Sequence, residues 1–183
     1  MIYQWGVEMR IGTIEVVDYD PKWKKIFDQE ELLLCETLSR VEISCHHFGS
    51  TAIPGMSSKP VIDIILEIAS IDLISAFIAA LEELGYEGLG ECGVLGRSFF
   101  RRREDSKGRF SVHLHFFAKG HFEIERNLVF RDYLRTHPED AHAYEKVKID
   151  LAKKYPQDHR AYRRGKEEII LEMDARAKAW VGE

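Results

Sequence analysis

Apolar positions along the chain follow two periods, and these predict the order of elements. Trp23, Ile26, Phe27, Leu34 and Leu38 recur at helical spacing behind Asp20-Pro21, a cap followed by a proline suited to a first helical position. Residues 21–40 therefore read as an amphipathic helix. Before it, Ile11 to Val17 is short and β-branched, as expected of an edge strand or extended arm. Val41 to Phe48 is a strand candidate that ends at Gly49-Ser50, and 51–58 holds Pro54 and Gly55 and reads as a turn or short helix. Pro60 to Ile68 is almost continuously apolar with two acids inside it, the pattern of a central strand covered on both faces. A second amphipathic helix covers 71–84, with Gly85 as its C-terminal cap. Arg97–Arg103 and Phe110–Phe117 form a predicted hairpin around Asp105-Ser106-Lys107-Gly108. Three helices follow, over 122–136, 139–155 and 159–180, the last behind Asp158 as N-cap. The order implies an α/β (α+β) fold: a mixed sheet with flanking helices and a C-terminal helical part.

Composition adds limits to that picture. The chain has 183 residues, 45% hydrophobic and 31% charged, which gives one expected unit over 1–183 and excludes disorder. Within it, 1–118 is the expected sheet core and 119–183 a helical lid. Three cysteines, Cys35, Cys45 and Cys92, make neither a disulfide scaffold nor a metal ribbon. No apolar run reaches the roughly 20 residues of a membrane span, and the first residues lack the pattern of a secretion signal. A cytoplasmic location with reduced thiols is the expectation.

The net charge of -5 argues against a long nucleic acid as partner. It is unevenly spread. Residues 1–118 carry 12 basic against 18 acidic side chains, and 119–183 carry 14 against 13. Inside the acidic part lies a basic run of Arg97, Arg101, Arg102, Arg103, Lys107 and Arg109. A local cluster on an acidic chain suits a small phosphorylated ligand. Arg101, behind Phe99-Phe100, is the expected phosphate binder of the hairpin, since guanidinium groups make bidentate phosphate contacts.

The most informative segment runs from His47 to Asp63. A strand delivers the chain to Gly49-Ser50, where the absence of a Cβ lets backbone approach a ligand and a hydroxyl and amides can meet an anion. Lys59 can add a positive charge. Thirteen residues after Ser50, Asp63 sits inside the central strand, where an ionised carboxylate must be paired or bound to a cation. Alternation places Asp63, Ile65 and Glu67 on one face. His113 and His115 share a face of the later strand, and their imidazoles suit metal ligation, phosphate contact or proton transfer. With His47 they are candidates for a three-histidine metal site. Asn127, Arg131 and Arg135 form one helical stripe, and Tyr162 and Lys166 lie one turn apart.

These segments resemble the GrpB-like family of the nucleotidyltransferase superfamily. The resemblance runs from about Val16 to Trp180 and is carried by His47–Gly55, Lys59–Ile64, His113-Leu114-His115, Phe130–Arg135, and Tyr162 with Lys166. It implies metal-dependent transfer of a nucleoside monophosphate from a nucleoside triphosphate to a small-molecule or protein acceptor. Gly49, Ser50 and Thr51 would then hold phosphates, with Lys59, Arg101, Arg131 and Lys166. Asp63, with Glu67 and His115, would bind Mg²⁺, and Asp63, Glu67, His113 and His115 would be the catalytic groups. His47 and Tyr162 would contact substrate, Tyr162 by stacking on a base. The sequence departs from the superfamily at position 65, where the second acid of the pair is replaced by Ile65. Two alternatives stay open: a non-catalytic module for a nucleotide or phosphate ligand, coenzyme A-type ligands included, and a metal-dependent hydrolase using His47, His113 and His115.

Overall fold

The computed structural model describes residues 12–103 and 111–182. The predicted turn at 105–108, Ile11, Lys107, Arg109 and the Arg103 side chain lie outside the described residues. Five strands form one mixed sheet in the order β1-β2-β5-β4-β3: β1 (Ile43–Phe48), β2 (Val61–Ile68), β3 (Glu87–Gly88), β4 (Arg97–Arg103) and β5 (Ser111–Ala118). β2 runs parallel to β5, and the other pairs are antiparallel. The hairpin expected from the arginine-rich stretch is thus present as β4–β5. The two-residue β3 escaped the period-based reading. Val17, in the expected arm, exchanges backbone hydrogen bonds with Ser58 at 2.9 Å.

The alternation of β2 builds two cores. Ile62, Ile64, Leu66 and Ile68 are fully buried against Trp23, Phe27, Leu34 and Leu38 of α1 (Lys22–Thr37) and against Leu81 of α2 (Ile78–Glu83). On the opposite face Ile65 is equally buried, with Phe117 and with Ile124 of α3 (Phe122–Thr136). The face that a second acid would need is therefore a dry apolar contact under a helix. α3 is followed by α4 (Pro138–Lys154), α5 (His159–Gly165) and α6 (Glu167–Val181).

Two predicted helices are broken. Residues 71–84 divide into a 3-10 segment, Ile71–Ala76, and α2, with Gly85 closing the latter at φ 84°. The break does not disturb the apolar spacing, so periodicity could not show it. Residues 159–180 divide at Lys166 into α5 and α6. Here Gly165 is pressed on the Leu151 side chain, which leaves no room for a Cβ, so the joint is set by α4. Asp158 caps α5 as expected, accepting from the N–H groups of Arg160 and Ala161.

Because Ile64 is the apolar centre of β2, Ile64→Ala is expected to cost about 2–5 kcal/mol, transfer and cavity terms together. Chemical denaturation checks this, and a loss below 1 kcal/mol would contradict the packing described.

Candidate functional site: a carboxylate, two imidazoles and a lysine cluster beside a Gly-Ser turn

The centre of the site is a row of residues across the sheet. Register sets Phe48 opposite Asp63, Asp63 opposite His113, and His113 opposite Arg101. Asp63 Oδ1 lies 3.3 Å from His113 Nδ1 and 3.3 Å from His115 Nε2. Burial pushes the Asp63 carboxyl up, but the hydrogen bonds donated by the two imidazoles outweigh it and hold the carboxyl well below the usual carboxylate range. Asp63 is therefore ionised at every physiological pH. Burial pushes His115 down to about 4, against the pull of Asp63. Phe48 and Phe99 stand edge-on to the His115 ring at 4.8 and 5.0 Å between centroids. Behind it, Arg97 Nη1 lies 3.1 Å from His115 Nδ1.

Gly49 brings the turn to the carboxylate. Its φ is 72°, and a Cβ there would stand 2.9 Å from Asp63 Oδ2. Both the backbone conformation and the close approach require glycine. The following residues, Ser50–Ala52, form a single 3-10 turn. The Ser50 hydroxyl hydrogen-bonds with Tyr144, whose own hydroxyl burial pushes up to about 12.

Around this turn gather three lysines. Lys148 of α4 lies over the Tyr144 ring at 5.0 Å and donates to the Ser57 carbonyl at 2.7 Å. Lys59 and Lys166 lie over the Tyr162 ring at 5.5 and 4.8 Å. Burial is the main cause that brings Lys59 to about 8, Lys148 to about 7 and Lys166 to about 8, and Lys166 repels the other two. Asp63 is the nearby acid that favours the charged forms of Lys59 and Lys166. Glu145 does the same for Lys148. The amines are close-set and half-buried or buried, with Asp63 and Glu145 the acids beside them.

Gly49, Ser50, Lys59, Asp63, His113, His115 and Lys166 are thus brought together. Other expected residues are not. Glu67 lies four residues beyond Asp63 on β2, roughly 13 Å along the strand, so it is no part of the cluster. Arg101 stands in the row beside His113, but its Nε and Nη2 donate to Glu87 Oε2 of the edge strand β3 at 2.9 and 2.8 Å. Its Nη1 and His113 Nε2 are buried without a protein partner among the described residues. Arg131 donates to the His47 carbonyl at 2.8 Å and to both oxygens of Asp132. It clamps the end of β1 rather than facing a ligand. Arg135 does the same for the Ala52 carbonyl.

His47 sits on the other face of the sheet, stacked on Phe27 at 4.9 Å. Its Nε2 lies 3.1 Å from Thr51 Oγ1, which in turn donates to the Val61 carbonyl at 2.9 Å. Since the hydroxyl hydrogen is already given to Val61, His47 must be the donor. Thr51 thus ties the 3-10 turn to β2 and His47 ties it to β1, with the polar atoms of both side chains already engaged. The three-histidine cluster is not formed. Among the described residues the group able to offer three ligand atoms to one ion is Asp63, His113 and His115, whose atoms lie within 4.8 Å of one another. Tyr162 is 1% exposed, and its ring already carries two ammonium groups, so it is not free to stack on a base. Lys148 and the Arg97–His115 contact were missed in the sequence. Lys148 stands in a helix of ordinary charged appearance, with no local signal to separate it from its neighbours.

This geometry can be set beside known proteins. A family profile described as GrpB protein matches residues 13–176. The chain belongs to the GrpB family. It is 38% identical over 167 residues to UPF0157 protein YqkA of Bacillus subtilis, covering 91% of this chain and 48% of that protein. The chain thus spans about half the length of that relative. It is 32% identical over 164 residues to the glutamate-rich protein GrpB of Alkalihalophilus pseudofirmus, covering 88% and 94%. The crystal structure of the GrpB protein from Enterococcus faecalis superposes with a TM-score of 0.84 at 30% identity, covering 92% of this chain and 100% of that one. A second solved structure is the Cid1 poly(U) polymerase with MgGTP bound, at a TM-score of 0.51 and 16% identity, covering 76% and 44%. That likeness is one of fold alone: the chain has a nucleotidyltransferase-like architecture. No helix among its described residues is long and apolar enough to cross a membrane.

The approach of Gly49 to Asp63 gives a direct test. Gly49→Ala should cost about 1–3 kcal/mol from its φ alone, and more from the clash with Oδ2. The double variant Gly49→Ala/Asp63→Ala should recover part of that loss in thermal denaturation, and strictly additive losses would contradict the contact.

Proposed function

We propose that the chain binds a nucleoside triphosphate, or a similar ligand with a chain of phosphates, beside the Gly49–Ser50 turn, and transfers the nucleoside monophosphate to a small-molecule or protein acceptor. The observation that carries this reading is the gathering of Lys59, Lys148 and Lys166 around the turn, next to the ionised Asp63. Three ammonium groups, Lys148 buried and Lys59 and Lys166 half-buried, repel one another and are stabilised by a polyanion that replaces their lost hydration. Asp63 offers a hard oxygen toward the same turn, which suits Mg²⁺. Asp63 would hold that ion, and when bound it would supply positive charge that neutralises the negative charge developing on the phosphate oxygens. The chain's own residues do the rest: the turn admits the phosphates, the lysines draw them in, and His113 and His115 fix the carboxylate.

One observation favours a second reading. Position 65 holds a fully buried isoleucine under α3 instead of a second acid. A non-catalytic nucleotide-binding module would need no such acid. Mg²⁺-dependent release of pyrophosphate that disappears in Asp63→Asn separates the two, since the binding module releases none.

Calorimetry with Mg²⁺ and each of the four common nucleoside triphosphates tests the shared core of both readings. Binding should occur, and Lys148→Met and Lys166→Met should each weaken it by at least tenfold with the fold intact. No heat with any triphosphate would contradict both. The lysines also set a pH dependence. Their depressed values mean that positive charge is lost as pH rises through 7 to 9, whereas ordinary lysines hold it to about 10. Affinity should therefore fall by about tenfold for each lysine in contact between pH 7 and pH 9, with protons taken up on binding at pH 8. An affinity that is flat over this range would rule out contact with these amines.

A further inference from the structure

We infer that Arg97 decides what kind of cation the site accepts. By holding His115 as a hydrogen-bond donor it leaves Asp63 one free carboxylate oxygen, so the site refuses a transition metal on its own and takes a hard divalent cation only together with a polyphosphate. The second half rests on the polyphosphate reading above, and the first does not.

By composition the cluster should prefer a transition metal. Two imidazoles and a carboxylate favour zinc, cobalt or nickel over magnesium. The spacing agrees with that preference. Two donors each about 2.0–2.1 Å from a tetrahedral metal stand about 3.3–3.4 Å apart, close to the 3.3 Å separating Asp63 Oδ1 from each imidazole nitrogen.

The hydrogens give the opposite answer. A guanidinium group has donors and no acceptor. Arg97 Nη1, 3.1 Å from His115 Nδ1, therefore fixes that nitrogen as an acceptor, and the ring hydrogen stands on Nε2, facing Asp63. A metal at Nε2 would have to drive the hydrogen to Nδ1, against the guanidinium. Metal-bound imidazoles ordinarily give their second N–H to a carboxylate or carbonyl, so the partner here has the wrong polarity. Arg97 cannot readily turn away. Its Nη2 donates to the Cys92 carbonyl at 2.8 Å, its Nε to the Glu91 carbonyl at 3.1 Å, and it lies over the Phe99 ring at 4.8 Å.

The carboxylate is left half-occupied. Oδ1 faces two imidazole nitrogens, and Oδ2 faces the Gly49 backbone. Ile65 supplies no second oxygen. A hard cation held by one protein oxygen needs the remainder from water and phosphate. Cation and polyphosphate must then strengthen each other's binding by the same factor.

The test uses the untagged full chain, Co²⁺ alone, Mg²⁺ alone, tripolyphosphate alone, and tripolyphosphate with Mg²⁺. Calorimetry and the visible absorption of Co²⁺ are the readouts. Wild type should show no stoichiometric Co²⁺ spectrum and no heat with Mg²⁺ alone, while Mg²⁺ should tighten tripolyphosphate by at least tenfold. Arg97→Met should gain one-to-one Co²⁺ binding, and Arg97→Lys, which keeps a donor, should behave as wild type. Stoichiometric Co²⁺ uptake by wild type would overturn the assignment whatever the variants do. So would a folded Arg97→Met chain that still refuses Co²⁺, or binding of Mg²⁺ alone. If tripolyphosphate fails to bind with or without Mg²⁺, the polyphosphate reading falls, and the Co²⁺ arm still decides the role of Arg97.

Discussion

A carboxylate in the middle of a sheet must be satisfied, and most of what surrounds Asp63 follows from that requirement. Left alone it would be neutralised by burial. Here the parallel register of β2 and β5 places His113 directly opposite it and His115 within reach. A shift of one residue would turn Leu114 toward it instead. The antiparallel partner ends at Phe48, so the chain turns beside the carboxylate, and Gly49 is the residue that lets it do so. The turn is then pinned from the far face through Thr51 and His47, and from above by Arg131 and Arg135. Four polar side chains that do not face the site thus hold the backbone that does.

The lysines present the opposite problem. Lys59, Lys148 and Lys166 come from a loop, a helix and a helix joint, and they meet over two tyrosine rings. Cation–π contacts of this kind contribute about 0.5–2 kcal/mol each, which is less than the cost of burying three like charges. Groups whose local energetics are unfavourable are retained where function requires them. Asp63 and the lysines together make a site divided by charge: a single hard oxygen on one side and ammonium groups on the other, with the Gly-Ser backbone between.

Much of the fold was legible in the sequence. The apolar run of β2 announced a doubly covered strand, and the hairpin, α1 and the caps at Asp158 and Gly85 followed from local chemistry. The breaks at Phe77 and Lys166 were not legible, because each preserves the apolar spacing or depends on a contact from another helix, as Gly165 does with Leu151. For the site, alternation paired His113 with His115, and the Gly-Ser turn pointed to Asp63. A sequence does not say what a charge is paired with. Arg101 and Arg131 looked like phosphate binders, yet Glu87 and a backbone carbonyl hold them, while Lys148 looked ordinary and lies buried over the Tyr144 ring, donating to the Ser57 carbonyl. Glu67 shares the face of Asp63, but strand rise separates the two.

On the reading proposed above, turn, carboxylate and lysines form one polyphosphate site. A crystal structure of the full chain grown with Mg²⁺ and a non-hydrolysable nucleoside triphosphate tests it most directly. Phosphate oxygens should lie within hydrogen-bond distance of the Gly49–Ser50 turn and of at least two of Lys59, Lys148 and Lys166, with the ion on Asp63 Oδ2. Phosphates bound at Arg101 or elsewhere on the surface, with the three lysines unchanged, would contradict it.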